Sequence, residues 1–110
     1  MKKYELTSEK KQHNGTTLYR INALKDFSDV KQGDLGGWLQ GEHNLSQAGD
    51  CWVYDNAVVS GFATVLNNAT VLDNAVVCDK AVVYNSSIIC DKAVVSGNAI
   101  IHGNAVIKNN

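Results

Sequence analysis

Proline is absent from this chain, and arginine and methionine occur once each, at Arg20 and Met1. No stretch therefore reads as a proline-rich linker. A single arginine and a formal net charge of −1 provide no basic face for a phosphate backbone, so no direct nucleic-acid partner is expected. Charged residues are only 19% of the chain, which is lean for a soluble surface, whereas hydrophobic residues make up 45%, too many for a disordered segment. No apolar run approaches the roughly 18–20 residues of a membrane span. The opening "MKKYELTSEKKQ" has lysines without an apolar core behind them, unlike a secretory signal. Three cysteines, Cys51, Cys78 and Cys90, form no CxxC pair and no metal-ligand spacing. Reduced thiols and a cytoplasmic location are the expectation.

What the chain has in abundance is a repeat. Its larger aliphatic residues fall at Val53, Val59, Val65, Val71, Val77, Val83, Ile89, Val95, Ile101 and Ile107, always six apart. Two residues before each stands a small one, mostly alanine, from Cys51 and Ala57 to Ala99 and Ala105. Two residues after each comes Asp, Gly or Asn until the last repeat. An offset of two puts the small and the aliphatic side chain on the same side of a strand. Asp, Asn and Gly tolerate the positive φ of a sharp corner, and the β-branched residue between prefers extended backbone. A helix would scatter a period of six around its cylinder. An antiparallel sandwich needs longer strand spacing. Three short strands per 18-residue coil satisfy the pattern, with the aliphatic column stacked inward.

This hexapeptide pattern resembles the hexapeptide-repeat proteins, and the resemblance implies a left-handed parallel β-helix. The expected fold is thus all-β, a single domain 1–110 with an N-terminal cap over 1–44 and a β-helix of about three coils over 45–110. Asn14-Gly15 between extended flanks predicts a β-hairpin in the cap. The lead-in "ALKDFSDVKQGDLGGW" and "NLSQAGDCWVYDNA" is similar to that of small YdcK-like bacterial and prophage hexapeptide-repeat proteins. That likeness implies a phage or bacterial origin.

Several features invite chemistry. Many enzymes of the hexapeptide-repeat class are acyltransferases, which usually add a catalytic histidine, a loop protruding between coils and a C-terminal helix. Here only His102 remains as a candidate base, and its position sends it outward beside Tyr84 and Leu66. The γ-class carbonic anhydrases of similar coil use three histidines for zinc, but His13 and His43 fall in the cap, away from His102. "KQGDLGGW" lacks the phosphate-loop spacings and reads as a tight turn that delivers Trp38 to the core. No catalytic residue, metal site or cofactor is therefore assigned. Stacking by 18 places Asp55, Asp73 and Asp91 on one corner, where three carboxylates could hold a cation or a basic partner. Asp is equally an ordinary corner residue. Lys108, Asn109 and Asn110 read as partial protection of an open last coil.

The outward residues carry the strongest functional expectation. The first wall should display Trp52, Tyr54, Leu72, Ile88, Cys90 and Val106, and the third Leu66 and Tyr84. Soluble monomers seldom leave such a wall bare, so it is expected to be an interface. The expected partners are the chain itself, as a dimer or trimer, and a host protein that a phage-encoded module would inhibit sterically, for example as an anti-CRISPR protein. The rival readings are an acyltransferase with its site between subunits and a structural assembly module.

Overall fold

The computed structural model describes residues 2–109; the protective role expected of Asn110 lies outside them. The repeat folds as the period of six demands, into a parallel β-solenoid. Each hexapeptide makes a two-residue strand: β4 (Trp52–Val53), β5 (Val58–Val59), β6 (Thr64–Val65), β7 (Thr70–Val71) and β8 (Val76–Val77). The series continues through β9 (Val82–Val83), β10 (Ile88–Ile89), β11 (Val94–Val95), β12 (Ile100–Ile101) and β13 (Val106–Ile107). Strands pair in parallel with residues 18 apart, as in Val58 with Val76, Thr64 with Val82 and Thr70 with Ile88. The first wall is β4-β7-β10-β13, the second contains β5-β8-β11, and the third is β6-β9-β12.

Corners are turned at Asp55, Gly61, Asn67, Asp73, Asp79, Asn85, Asp91, Gly97 and Gly103, all with φ between 57° and 65°. The inward column from Val53 to Ile89 is fully buried, as is the small column from Cys51 to Ser87. Each buried valine contributes roughly 1.5–3 kcal/mol relative to an exposed one. Ser87 keeps its hydroxyl satisfied by donating to the Tyr84 carbonyl at 2.8 Å.

The cap contains the predicted hairpin, β1 (Tyr4–His13) and β2 (Thr16–Ala23), turned at Asn14-Gly15. A third strand, β3 (Leu35–Leu39), lies antiparallel to β2 and parallel to β5, where Trp38 pairs with Val58 and Leu39 with Val59. Leu45 then bridges Val65 in parallel. The solenoid is therefore about four turns deep rather than about three. Leu39 and Leu45 are six apart and both buried, so they are two members of the repeat itself. The step from Leu45 to Val53 is eight, and those two extra residues hide the earlier members from a search for strict sixes.

Strand β3 crosses the top of the first coil so closely that only glycine fits. A Cβ on Gly36 would lie 2.6 Å from the Val53 carbonyl oxygen, and one on Gly37 would lie 2.5 Å from that of Ala57. This is the physical reason for "GDLGGW". Trp38 faces away from the main core into a second cluster with Leu18 and Val58, where the hairpin folds over the second wall.

Beneath the cap, many carbonyls of the first coil that face backward find donors. Trp38 N–H donates to Ala57, Gln40 N–H to Val59 and Ser46 N–H to Val65. Side chains supply others. The Asn44 amide donates to Ala63 at 2.8 Å, the Tyr4 hydroxyl to Leu45 at 2.6 Å, and the buried Lys3 amine to Cys51 at 2.7 Å. Burial holds the Tyr4 hydroxyl well above its ordinary value of 10.0 and raises the Cys51 thiol above 9.0. Both groups are acids whose protonated form is favoured by folding. Their stabilisation is complete below those ordinary values and is lost as pH rises through the folded ones. Burial lowers the Lys3 amine, which acts with the opposite sign and offsets part of that loss. Tyr4→Phe should therefore flatten the decline of stability above about pH 10, measured as urea midpoints across a pH series. A decline as steep as in the parent chain would show that Tyr4 ionisation is not coupled to folding.

Candidate functional site

The outward column, β-branched except for Trp52, is buried at one end of the solenoid and exposed at the other. Trp52 is only 1% exposed, whereas Val94 is 63%, Ile100 61% and Val106 54% exposed. The cap is one cause. On the first wall, Phe27 packs edge-on against Trp52 with ring centroids 5.2 Å apart, and Tyr4 does the same at 6.1 Å. The Tyr54 hydroxyl donates to Asp29 at 2.7 Å. These contacts correct the expectation of an exposed first wall. Its aromatic upper half is covered by the chain's own loop, because residues 24–34 fold back on it. Leu72 and Cys90 remain half-buried, and Ile88 and Val106 are exposed.

The second wall is covered in its upper part by the hairpin, which buries Val58 and packs against Val76. On the third wall the short 3-10 turn Glu42–Asn44 lies over Thr64, whose hydroxyl donates to the His43 carbonyl at 3.4 Å. Leu66, Val82 and Tyr84 on it are half-buried, and Ile100 is exposed. His102 stacks on Tyr84 with centroids 5.6 Å apart and planes at 23°. No carboxylate is hydrogen-bonded to it among the described residues. His43 is engaged elsewhere, at the Gly61 carbonyl, 2.8 Å away.

Phe62 was missed by the sequence reading. It follows the corner glycine Gly61 and is 77% exposed. The same position in the other repeats holds Asn56, Asn68, Asn74, Lys80, Ser86, Lys92, Asn98 and Asn104. An apolar residue in an otherwise polar column was the signal that could have found it. Phe62 stands at the corner bordering the third wall, beside a shallow depression lined by Asp79, Lys80, Gly97 and Asn98.

The acidic corner is brought together as expected, in a groove of about 490 Å³ with Asn56, Asn74, Lys92 and Asn109. Its carboxylates already have work within the fold. Asp55 accepts from the Asp73 backbone N–H at 3.2 Å, and Asp73 from that of Asp91 at 2.9 Å. The other corners do the same. Asn67 accepts from Asn85 N–H at 3.0 Å, Asp79 from Gly97 N–H at 2.8 Å, and Asn85 from Gly103 N–H at 3.0 Å. Corner side chains thus latch successive coils together, whether charged or neutral. Asp73, Cys90 and Asp91 offer ligand atoms within 4.8 Å of one another. Desolvation and the neighbouring Asp91 and Asp73 raise the Cys90 thiol, which disfavours the thiolate a metal would need. All three cysteines are free, with Cys51 buried.

In sequence the chain resembles a known bacterial protein. It is 42% identical to the uncharacterized acetyltransferase YdcK of Escherichia coli (strain K12) in an alignment of 77 residues, covering 62% of this chain. The likeness is to a protein named an acetyltransferase. The chain spans only 24% of that relative's length. No protein-family model matches. No helix among the described residues is long and apolar enough to cross a membrane.

The corner latch makes a direct prediction. Asp73→Asn retains an acceptor oxygen and should change stability by less than about 0.5 kcal/mol. Asp73→Ala loses the bond to Asp91 and places a Cβ-bearing residue without a polar side chain at positive φ, costing about 1–2 kcal/mol. Urea denaturation of both variants measures the difference. A marked rise in melting temperature with millimolar calcium, lost in Asp73→Asn, would show instead that the corner is a cation site.

Proposed function

We propose that the chain is a non-enzymatic protein-binding module whose third wall and adjoining Phe62 corner receive a partner protein. The observation that carries this reading is Phe62, the most exposed large apolar residue among those described, set where the other repeats place a polar one. Aromatic anchors of this kind dominate the energetics of protein interfaces. Leu66, Val82, Tyr84 and Ile100 extend the apolar surface from that anchor across a wall the cap leaves open. Leu72, Ile88, Cys90 and Val106 continue it around the next corner on the lower first wall.

The phage-like lead-in supports a host protein as the partner and steric masking as the mode of action. A rigid prism would lie over the host protein's working surface, and inhibition of a bacterial defence complex of the CRISPR type is one concrete form. Phe62→Asn restores the polar repeat residue, and Tyr84→Asp places a charge on the wall. Each should weaken capture of a host protein about tenfold or more without lowering the melting temperature. Asp55→Asn should leave capture unchanged. Capture of the same proteins by the parent chain and both wall variants would overturn the reading.

A second reading rests on the acetyltransferase-named relative. In that case an acyl-CoA would bind where subunits meet, and His102 would act as the base. Calorimetry with acetyl-CoA decides between the two. Binding that is lost in His102→Ala supports the enzyme, and no heat at millimolar acetyl-CoA leaves the binding module.

A further inference from the structure

The hairpin covers the second wall unevenly. Outward residues of that wall stand in two columns, Trp38–Val58–Val76 and Gln40–Ser60–Cys78, stacked through the parallel pairing of Leu39 with Val59 and of Val59 with Val77. Leu18 of the hairpin fills the first column and is fully buried against Trp38 and Val58. Over the second column the hairpin leaves a space. Between Gln40, Ser60 and Cys78 on the wall and His13, Asn14 and Thr16 at the hairpin turn lies a cleft of about 240 Å³, with Asp79 also in its lining.

Polar groups here are short of partners. The buried polar side chains of the described residues are Lys3, Asn44, Ser60 and Ser87. Lys3, Asn44 and Ser87 each donate to carbonyls. Ser60 is 9% exposed and lines the cleft, and its hydroxyl has no hydrogen-bond partner among the described residues. The half-buried His13 and Thr16 side chains have none either. Under the same hairpin, Trp38 has a buried Nε1–H without an acceptor. A nearly buried hydroxyl that its own chain leaves unpaired calls for a bound water or ligand. At about 30 Å³ each, roughly eight waters would fill the cleft, more than Ser60 alone requires.

The lining sets the chemistry of an occupant. Gln40 Oε1 already accepts from the Gly61 N–H at 2.7 Å, which leaves its amide nitrogen to donate. Asp79, one oxygen of which accepts from the Gly97 N–H at 2.8 Å, can only accept. The Ser60 and Thr16 hydroxyls do either. Desolvation and the neighbouring Asp79 raise the Cys78 thiol, which therefore brings no charge. An anion would meet the Asp79 carboxylate, and an ammonium ion has no lone pair for the Gln40 amide. A hydroxyl group both gives and accepts, and so suits the whole lining.

We propose that this cleft binds a small neutral polyol, held between Ser60 on the wall and Thr16 on the hairpin. Drug-sized ligands need pockets of about 300 Å³ or more, so the occupant is smaller than these. The site lies on the second wall beneath the cap, and the proposal therefore goes beyond the third-wall partner reading.

Amide NMR shifts of the full chain, titrated with glycerol, xylitol and D-glucose to about 100 mM, test it. The expected result is saturable shifts at Thr16, Ser60, Gly61 and Cys78 for at least one of the three, with a dissociation constant of about 1–10 mM. Ser60→Ala and Thr16→Val should each weaken that binding about tenfold, with amide shifts in the rest of the solenoid unchanged. The two residues sit on opposite sides of the cleft, so one variant remains decisive where the other disturbs the hairpin. Shifts that rise linearly with all three polyols would overturn the proposal and leave a cleft that holds only water. Saturable binding that survives both substitutions would overturn it too, as would tighter binding of ethylammonium or acetate than of any polyol.

Discussion

A two-residue strand in a parallel coil can satisfy its backbone only by lying on another coil. That constraint governs the molecule. Val58 donates to Ala75, Val76 to Ala93, and the same bond recurs on each wall at about 3.0 Å. None of these strands could stand alone, because parallel pairing here joins residues 18 apart. The hydrogen-bond ladder and the aliphatic column are one device: stacking that closes the bonds also buries the valines.

Such a ladder needs a finish where it begins. The N-terminal end is finished by a mixture of strand and side chain. Strand β3 supplies ordinary parallel pairing on one wall. On the others, the Asn44 amide reaches the Gly61 and Ala63 carbonyls, the Tyr4 hydroxyl that of Leu45, and the Lys3 amine those of Gly49 and Cys51. The burial of Lys3 follows from this role, since an amine with three donors can serve carbonyls at a crowded corner.

The cap also decides what surface is left for a partner. Its hairpin covers the upper second wall and its loop covers the upper first, through Phe27 and Asp29. Aromatic residues that look like an interface in the sequence are partly spent on this internal one. Trp52 shows why an outward position in a repeat is not the same as an exposed one. Phe62 shows the converse, since a corner position gives it nothing of its own chain to rest on.

The sequence by itself determined the repeat geometry: period six, the inward and small columns, the positive-φ corners and the Asn14-Gly15 hairpin. Each of these depends on a side chain's preference relative to its near neighbours, and such preferences can be read along the chain. Only the tertiary structure decided that Leu39 and Leu45 belong to the solenoid, that Gly36 and Gly37 exist for a close crossing, and that the acidic corner is a latch. It alone buried Trp52. Those outcomes depend on which distant segment folds over which wall, and on an insertion of two residues that breaks the period. Contacts of that kind have no local signature, because the partner lies tens of residues away and only packing brings it there.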